Sequence, residues 1–394
     1  MRYVGTVTRG IRTPIIKEND DLAAIVVDSV IKASEEEGFK FRDRDIIAIT
    51  EAVVGISEGN YITVDDIAED VKNKLHTDHL GVVFPILSRN RFSLILKGLA
   101  RSAKKLTVLL SFPSDEVGNG ILDEEKLEKS KFNKESLITE EEYMETFGDW
   151  LHPFTGINML TFYKELIENE GCEAEFVLSN NPLDILKYTS DVINCDIHTR
   201  VKTKEKLASA GANVYGLYEI MTEPINGSGF NPKYGMLGSN KSTEERLKLF
   251  PKTGQELVEK IQKVMKEKTG KTIEVMVYGD GAFKDPVGKI WELADPVVSP
   301  AYTSGLEGTP NEIKLKYVSD NKFKDLRGDE LKAAIKEEIR KKDADLKGKM
   351  ITQGTTPRRY TDLIGSLCDL TSGSGDKGTP VVFIQGYFDN LSDD

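Results

Sequence analysis

An aspartate follows a short apolar run in the second half of the chain. Residues 274–286 read Glu-Val-Met-Val-Tyr-Gly-Asp-Gly-Ala-Phe-Lys-Asp-Pro, so that Asp280 stands between two glycines just beyond a predicted buried strand. α/β proteins bind ligands beyond the carboxyl ends of their strands, and Mg²⁺ and Mn²⁺ prefer oxygen ligands. Asp280 is therefore a candidate metal ligand, although an ordinary turn after a strand uses the same residues.

A second candidate is the glycine-rich loop 371–378, which reads Thr-Ser-Gly-Ser-Gly-Asp-Lys-Gly. The backbone N–H groups of Gly373, Ser374 and Gly375 could surround phosphate oxygens, as glycine-rich nests do. The loop lacks the Gly-x-x-x-x-Gly-Lys-Ser/Thr spacing of a P-loop. A plain connector between a helix and a strand would have the same composition.

Arg89 and Arg91 precede a helix predicted from Phe92 to Lys105. Cations at a helix N-terminus are unfavourable by ~0.3–1 kcal/mol, and an anion bound between the two arginines would remove that conflict. They are candidate ligands for a phosphate or carboxylate, together with the basic residues further along the helix, Lys97, Arg101, Lys104 and Lys105. The alternative is that this basic face is solvated and paired with the acidic residues after Asp123.

Histidine and cysteine patterns indicate no zinc site. His76 and His79 lack the zincin spacing and its glutamate, and the three cysteines are far apart without a Cys-x-x-Cys pair. The segment Asp196-Ile197-His198 follows a predicted strand and suits either a polar site or local hydrogen bonding.

The elements that must position these residues alternate between strand and helix, which predicts a mixed α/β fold. The chain has 394 residues, and at roughly 150 residues per domain it should form two or three units. We predict an N-terminal α/β part at 1–118, an inserted α/β lobe at 119–222 and a C-terminal part at 223–394. Within them, 123–145 reads as a solvated or partly mobile helical excursion, and 243–268 reads as one long helix.

Charge and hydropathy restrict the partners. The net charge of −12 disfavours nucleic acid, and no apolar run approaches the ~20 residues that cross a bilayer. The first residues lack the apolar stretch of a secretory signal. These features predict a cytoplasmic protein that binds neither nucleic acid nor a membrane.

Several sequence blocks resemble, in their order, the coenzyme F420-0:γ-glutamyl ligases. Each block is weakly specific alone, and the resemblance covers about two-thirds of the chain, without the lobe 119–222. The blocks are Gly10-Ile11-Arg12-Thr13-Pro14, Asp45 to Thr50 leading to Ser57-Glu58-Gly59, Gly235 to Asn240, the turn at Asp280, and Leu370 through Val382 and Gly386.

The resemblance implies an intertwined homodimer and a reaction in which GTP or ATP, with Mg²⁺ or Mn²⁺, activates a carboxylate that glutamate's amine then attacks. It places Asp280 at a metal position. It also implies nucleotide contacts, at Arg12, Thr13, Asn240, Gly373, Ser374 and Gly375.

The chain departs from the family pattern at charged positions. Leu237 or Gly238 stands where the family has a metal-binding aspartate, and two expected lysines fall near Ala52 and Ile56. Other residues must rebuild the site if it is active, and the candidates are Arg89 and Arg91 as catalytic groups beside Asp280, and Asp285 and Glu307 as metal ligands.

Two functions therefore remain open. The first is a metal- and nucleotide-dependent ligase that adds glutamate to a small carboxylate-bearing molecule such as F420-0 or a folate. The second is a catalytically degenerate member of the family that binds a nucleotide or another small ligand.

Overall fold

Sixteen strands and twelve α-helices make up the described part of the chain. A computed structural model describes residues 3–153, 155–279, 282–284, 291–293, 299–355, 358–372 and 376–393. The strands are β1 Val7–Ile11, β2 Ile46–Thr50, β3 Tyr61–Thr63, β4 His79–Val83, β5 Lys105–Leu110, β6 Ile138–Thr139, β7 Glu173–Leu178, β8 Asp191–Asn194, β9 Asn213–Gly216, β10 Asn240–Lys241, β11 Arg246–Lys248, β12 Glu274–Tyr278, β13 Ala282–Lys284, β14 Trp291–Leu293, β15 Ala301–Tyr302 and β16 Val381–Gln385. The helices are α1 Leu22–Glu37, α2 Glu51–Ser57, α3 Val64–Leu75, α4 Phe92–Ser102, α5 Glu124–Lys129, α6 Glu140–Phe147, α7 Met159–Asn169, α8 Arg200–Ser209, α9 Gly254–Thr269, α10 Leu315–Asn321, α11 Gly328–Arg340 and α12 Tyr360–Thr371.

A five-stranded mixed sheet has the order β1-β16-β2-β12-β15. β2 and β12 are parallel, and β16 is antiparallel to both β1 and β2. Alternate residues of β2 enter two different cores, with Ile47 and Ile49 packed beneath α1 and α9 and Ile46 and Ala48 packed beneath α12. Burial on both faces explains why this strand is continuously apolar rather than alternating.

A six-stranded sheet has the order β6-β7-β5-β4-β8-β9, in which the last five strands are parallel and β6 is an antiparallel edge. The chain starts at β4, proceeds outward through β5 to β7, then crosses back to β8 and β9. α4 and α7 cover one face and α8 covers the other. This is a doubly wound arrangement, and its strand order reverses between β4 and β8.

The mixed α/β class predicted from the sequence is confirmed. The six-stranded sheet takes β4 and β5 from before residue 118 and β6 to β9 from after it, so it spans the boundary proposed there. The division into three units stays a prediction.

Two local expectations need correction. Residues 123–145 contain the predicted helical structure, as α5 and most of α6, and most of them are at least partly exposed. They are also attached to the core, because Tyr143 is fully buried and its hydroxyl donates a 2.7 Å hydrogen bond to the Ile121 carbonyl. The predicted helix 243–268 begins only at Gly254, because residues 246–248 pair with β3 as strand β11 and Pro251 follows where a helix would need a backbone donor.

No helix in the described ranges is long and apolar enough to span a membrane.

Hydrogen bonds to Asp115 connect the loop after β4 to the loop after β5. Its buried carboxylate accepts hydrogen bonds from the backbone N–H groups of Leu87, Val117 and Asn119, at 2.8, 3.0 and 2.8 Å, and from the Asn119 side chain at 2.8 Å. Burial raises the pKa of this carboxyl group, and the four donors oppose that rise. Asp115 therefore helps to fix the geometry of the loop that leads into α4, together with Tyr163, whose hydroxyl donates to the Ile86 carbonyl.

We expect Asp115→Ala to lower the free energy of unfolding by ~3 kcal/mol, because it leaves buried N–H groups without acceptors. Urea denaturation followed by circular dichroism measures the change. Asp78→Ala is the matched control. Among the described residues, this exposed carboxylate pairs with exposed Lys104, and its removal should cost less than ~0.5 kcal/mol. Equal effects of the two substitutions would contradict the role given to Asp115.

Candidate functional site

Four chain segments meet at one edge of the five-stranded sheet, the edge at which the inner strands β2 and β12 end. The parallel strands β2 and β12 both end there, with Thr50 beside Tyr278. The antiparallel neighbour β16 begins there, and the Thr50 N–H donates a 2.9 Å hydrogen bond to the Pro380 carbonyl. β1 ends there as well, because Ile11 pairs with Val381. This edge is where an α/β sheet holds a ligand.

Arg12 and Thr13 follow β1 at this edge and line a cavity of about 1010 Å³. Thr371 and Lys377, which lie in the glycine-rich loop on either side of Gly373, Ser374 and Gly375, line the same cavity. Gly373, Ser374 and Gly375 themselves lie outside the described residues. The remaining charged lining residues are of both signs: Arg9, Lys32, Asp28, Glu36 and Glu37.

The ends of β12 and α12 are joined by one hydrogen bond. The Tyr278 hydroxyl donates to Ser372 Oγ at 2.6 Å, and burial raises the pKa of this tyrosine, so its hydroxyl stays protonated near neutral pH. Ser372 immediately precedes Gly373 in the glycine-rich loop, and Tyr278 precedes Asp280 by two residues. Asp280 and Asp285 lie outside the described residues, so their arrangement stays a prediction.

Asn240 reaches the same region from strand β10. Its side-chain amide donates to Glu51 Oε1 at 3.3 Å, and Glu51 is the first residue after β2. Glu51 also forms an ion pair with Lys248 of β11, with 3.2 Å between Nζ and Oε2. The side chains of Lys248 and Glu51 are only 7% and 8% exposed. Sequence reasoning missed both, although a lysine beside the apolar run Leu249-Phe250 is a signal of a buried charge.

The loop that carries Arg89 and Arg91 lies beside Asn240. The Lys241 N–H donates a 3.0 Å hydrogen bond to the Asn90 carbonyl, so the loop after β4 of the six-stranded sheet is joined to β10. Arg89 is exposed, and Arg91 occupies the N-cap position of α4. The structure thus brings the predicted anion-binding loop next to the predicted nucleotide-binding asparagine.

The rest of the basic face of α4 is used in ion pairs. Lys97 contacts Glu245 at 2.5 Å, and Arg101 contacts Glu170 at 2.6 Å and Glu245 at 2.8 Å. The hydrogen bond from Lys97 lowers the pKa of the Glu245 carboxyl. The helix predicted to reach Lys105 ends at Ser102, and Lys104 and Lys105 lie beyond it, Lys105 as the first residue of β5. They pair with other carboxylates, at Asp78, Glu173 and Glu175. These basic residues are therefore paired with carboxylates, as the alternative prediction expected. Their partners, however, are not the acidic residues of 123–145.

Glu307 lies away from the edge described above. β15 is antiparallel to β12, with Ala301 beside Val277 and Tyr302 beside Met276. The chain therefore continues from Tyr302 toward the amino end of β12, and exposed Glu307 follows in that direction. Among the described residues, no three His, Cys, Asp or Glu side chains are grouped so that they could hold a metal ion.

His198 takes part in a hydrogen-bonded cluster at the doubly wound sheet. Its Nδ1 lies 2.8 Å from Glu116 Oε2, and the same carboxylate accepts from the backbone N–H groups of Ile197 and His198. Buried Asp196 accepts from Thr199 and Thr203 at the start of α8. Asp196 therefore makes local hydrogen bonds, whereas His198 contacts Glu116, which is 82 residues away in the chain.

The buried pair of Glu51 and Lys248 yields a stability prediction. Lys248→Met should lower the free energy of unfolding by ~3–5 kcal/mol, because it removes one charge of a buried ion pair and keeps the other. The double variant Glu51→Gln/Lys248→Met should recover to within ~1 kcal/mol of wild type, because both charges are gone. Chemical denaturation of the two variants measures the difference, and a double variant as unstable as the single one would contradict it.

Comparison with known proteins supplies the family. No curated protein sequence matches the chain. Among solved structures, eIF2B beta from Chaetomium thermophilum is similar over 42% of this chain and 43% of its own, at 13% identity and a TM-score of 0.22, so this chain spans less than half of that protein, and a likeness this low carries no argument. The sequence model of the F420-0:gamma-glutamyl ligase family matches residues 10–386. That match covers nearly the whole chain, which therefore belongs to the F420-0:gamma-glutamyl ligase family.

Proposed function

We propose that this protein is a metal- and nucleotide-dependent ligase that joins glutamate through an amide bond to a small carboxylate-bearing molecule, such as F420-0 or a folate. The observation that carries the proposal is the meeting of Arg12, Thr13 and the flanks of the glycine-rich loop around one cavity. Residues of β1 and α1 line this cavity, and Arg12 and Thr13 follow β1 at the end where it pairs with the start of β16.

The reaction would proceed in two steps. The terminal phosphoryl group of GTP or ATP passes to a carboxylate oxygen of the acceptor, and the nucleoside diphosphate leaves. The amine of glutamate then attacks the carbonyl carbon of the acyl phosphate, a C–N bond forms, and inorganic phosphate leaves while the nitrogen gives up a proton. Catalysis of phosphoryl transfer consists mostly of positioning and charge neutralisation.

The proposed roles follow from position. Arg12, Thr13, Asn240 and the loop 373–375 would bind the nucleotide, and Arg89 and Arg91 would bind the phosphate or carboxylate of the acceptor. Mg²⁺ or Mn²⁺ would bind at Asp280 and Asp285, and Glu307 could join them only if residues 303–307 moved toward the other end of β12. The cation would neutralise phosphate charge during transfer.

A homodimer is part of the proposal. β1 is an edge strand of the five-stranded sheet, and Tyr3 and Ile15 on either side of it are 91% and 88% exposed. An exposed edge with apolar flanks is a surface on which a second copy could pair. Light scattering during size-exclusion chromatography would then give twice the chain mass of 43.9 kDa.

The second candidate is a family member that binds a nucleotide or small ligand without turnover. It is favoured by the residues at the position where the family has a metal-binding aspartate. Leu237 is buried in the core at 3% exposure, and Gly238 has a left-handed backbone at φ 72°. Neither residue can ligate a cation through its side chain.

The test is product formation. Purified protein is incubated with glutamate, GTP or ATP, Mg²⁺ or Mn²⁺, and F420-0 or folate, and mass spectrometry detects the added glutamyl group. Asp280→Ala should abolish the product. A metal-dependent nucleotide shift in melting temperature without product from any acceptor would favour the binding protein. The absence of both would contradict both candidates.

We expect Thr13→Ala to raise the KM for the nucleotide about tenfold or more, because one hydrogen bond to a charged phosphate contributes ~1.5–3 kcal/mol. Thr6→Ala is the matched control, since Thr6 lies beyond the opposite end of β1, where its hydroxyl contacts the Gly386 carbonyl. An equal change of KM in both variants would argue against a nucleotide at Thr13.

A further inference from the structure

The ion pair of Glu51 and Lys248 is unusual for its burial. With both side chains less than 9% exposed, each charge has lost most of its hydration. The attraction between two such charges often fails to repay that loss, so a buried pair is weak evidence of a stabilising role. Charged groups held in unfavourable surroundings concentrate at functional sites.

Lys248 supplies a cation where the local helix has none. α2, which begins at Glu51, contains neither lysine nor arginine, and Lys248 arrives from β11. Its aliphatic stem lies against Gly55, where a Cβ would be 3.1 Å from Lys248 Cδ and 3.0 Å from the Leu249 carbonyl oxygen. Glycine at position 55 therefore makes room for the lysine stem over α2.

A second hydrogen-bond donor lies beside this lysine. Asn240 and Lys248 are direct cross-strand partners in the β10–β11 pair, a register that brings Cβ atoms within roughly 5 Å. The Asn240 amide and the Lys248 ammonium both contact the Glu51 carboxylate. An ammonium and an amide side by side are donors suited to anionic oxygens.

The position of Lys248 and Glu51 relative to Arg12 also fits a long ligand. Glu51 follows β2, whereas Arg12 follows β1, and one strand separates these two in the sheet. At ~4.8 Å per strand spacing the two points are roughly 10 Å apart along the same edge. A nucleotide bound in the cavity at Arg12 and Thr13 could extend its phosphates toward Lys248.

We propose that Lys248 binds a phosphate oxygen of the polyphosphate chain, and that Glu51 is its counter-ion when no ligand is bound. This assignment rests on the proposed function, since it names a phosphate contact of the same site. Binding moves the Lys248 ammonium from the carboxylate to the phosphate. Glu51 then repels the incoming anion, which makes binding stronger when a divalent cation is present or when Glu51 is neutral.

The experiment uses inorganic tripolyphosphate as the probe and isothermal titration calorimetry on the full chain. Lys248→Met keeps the aliphatic stem over Gly55 and removes the charge, so binding should weaken at least tenfold. The stable double variant Glu51→Gln/Lys248→Met should bind as weakly. Glu51→Gln alone should bind several-fold more tightly than wild type in metal-free buffer.

Lys241→Met is the matched control, because this lysine is next to Asn240 but pairs with exposed Glu244, and its binding should equal that of wild type. The proposal is overturned if the double variant binds tripolyphosphate within twofold of wild type, or if the wild-type protein does not bind it.

Parallel product assays separate this inference from the ligase proposal. Turnover that is unchanged in the double variant would overturn the role of Lys248 and leave the ligase standing. Tripolyphosphate binding that requires Lys248, without product from any acceptor, would support the inference and count against the ligase.

Discussion

Burial of β2 on both faces is the constraint from which the candidate site follows. Its alternate residues pack into two different cores, and the strand lies at the centre of its sheet, with β16 on one side and β12 on the other. Each fully buried isoleucine contributes ~1.5–3 kcal/mol, so a shift in register would be costly. That fixed register sets Thr50 between Tyr278 of β12 and Pro380, the residue before β16.

The second constraint is the junction between the two large sheets. β3, β10 and β11 form a three-stranded sheet, and Ile62 and Leu247 from it belong to the core beneath α4 and α7. The same small sheet places Asn240 and Lys248 against Glu51 at the end of β2. It thereby connects the doubly wound lobe, with its loop at Arg89 and Arg91, to the edge of the five-stranded sheet.

The chemistry of the site combines family features with replacements. Arg12, Thr13 and Asn240 stand where the family resemblance expects nucleotide contacts, while the cations expected on α2 are absent. Lys248 from β11 lies against α2, where Gly55 leaves room for its aliphatic stem. An enzyme site can preserve a charge in space while the residue that carries it changes place in the chain, because binding depends on where the charge is and not on which strand supplies it.

The sequence by itself determined the mixed α/β class, the family, the strand β2 and the candidate nucleotide-contacting residues, because apolar periodicity, glycine positions and block order are local properties of the chain. It missed the burial of Tyr143 within 123–145 and the strand at 246–248 within the predicted helix 243–268. The charged composition of both segments gave no sign of the packing partner, which for the strand is distant β3. Only the tertiary structure showed that Lys248 meets Glu51, almost two hundred residues away along the chain. The physical reason is that ion pairs and strand registers depend on which segments pack together, and long-range packing leaves no periodic signal in the residues that it joins.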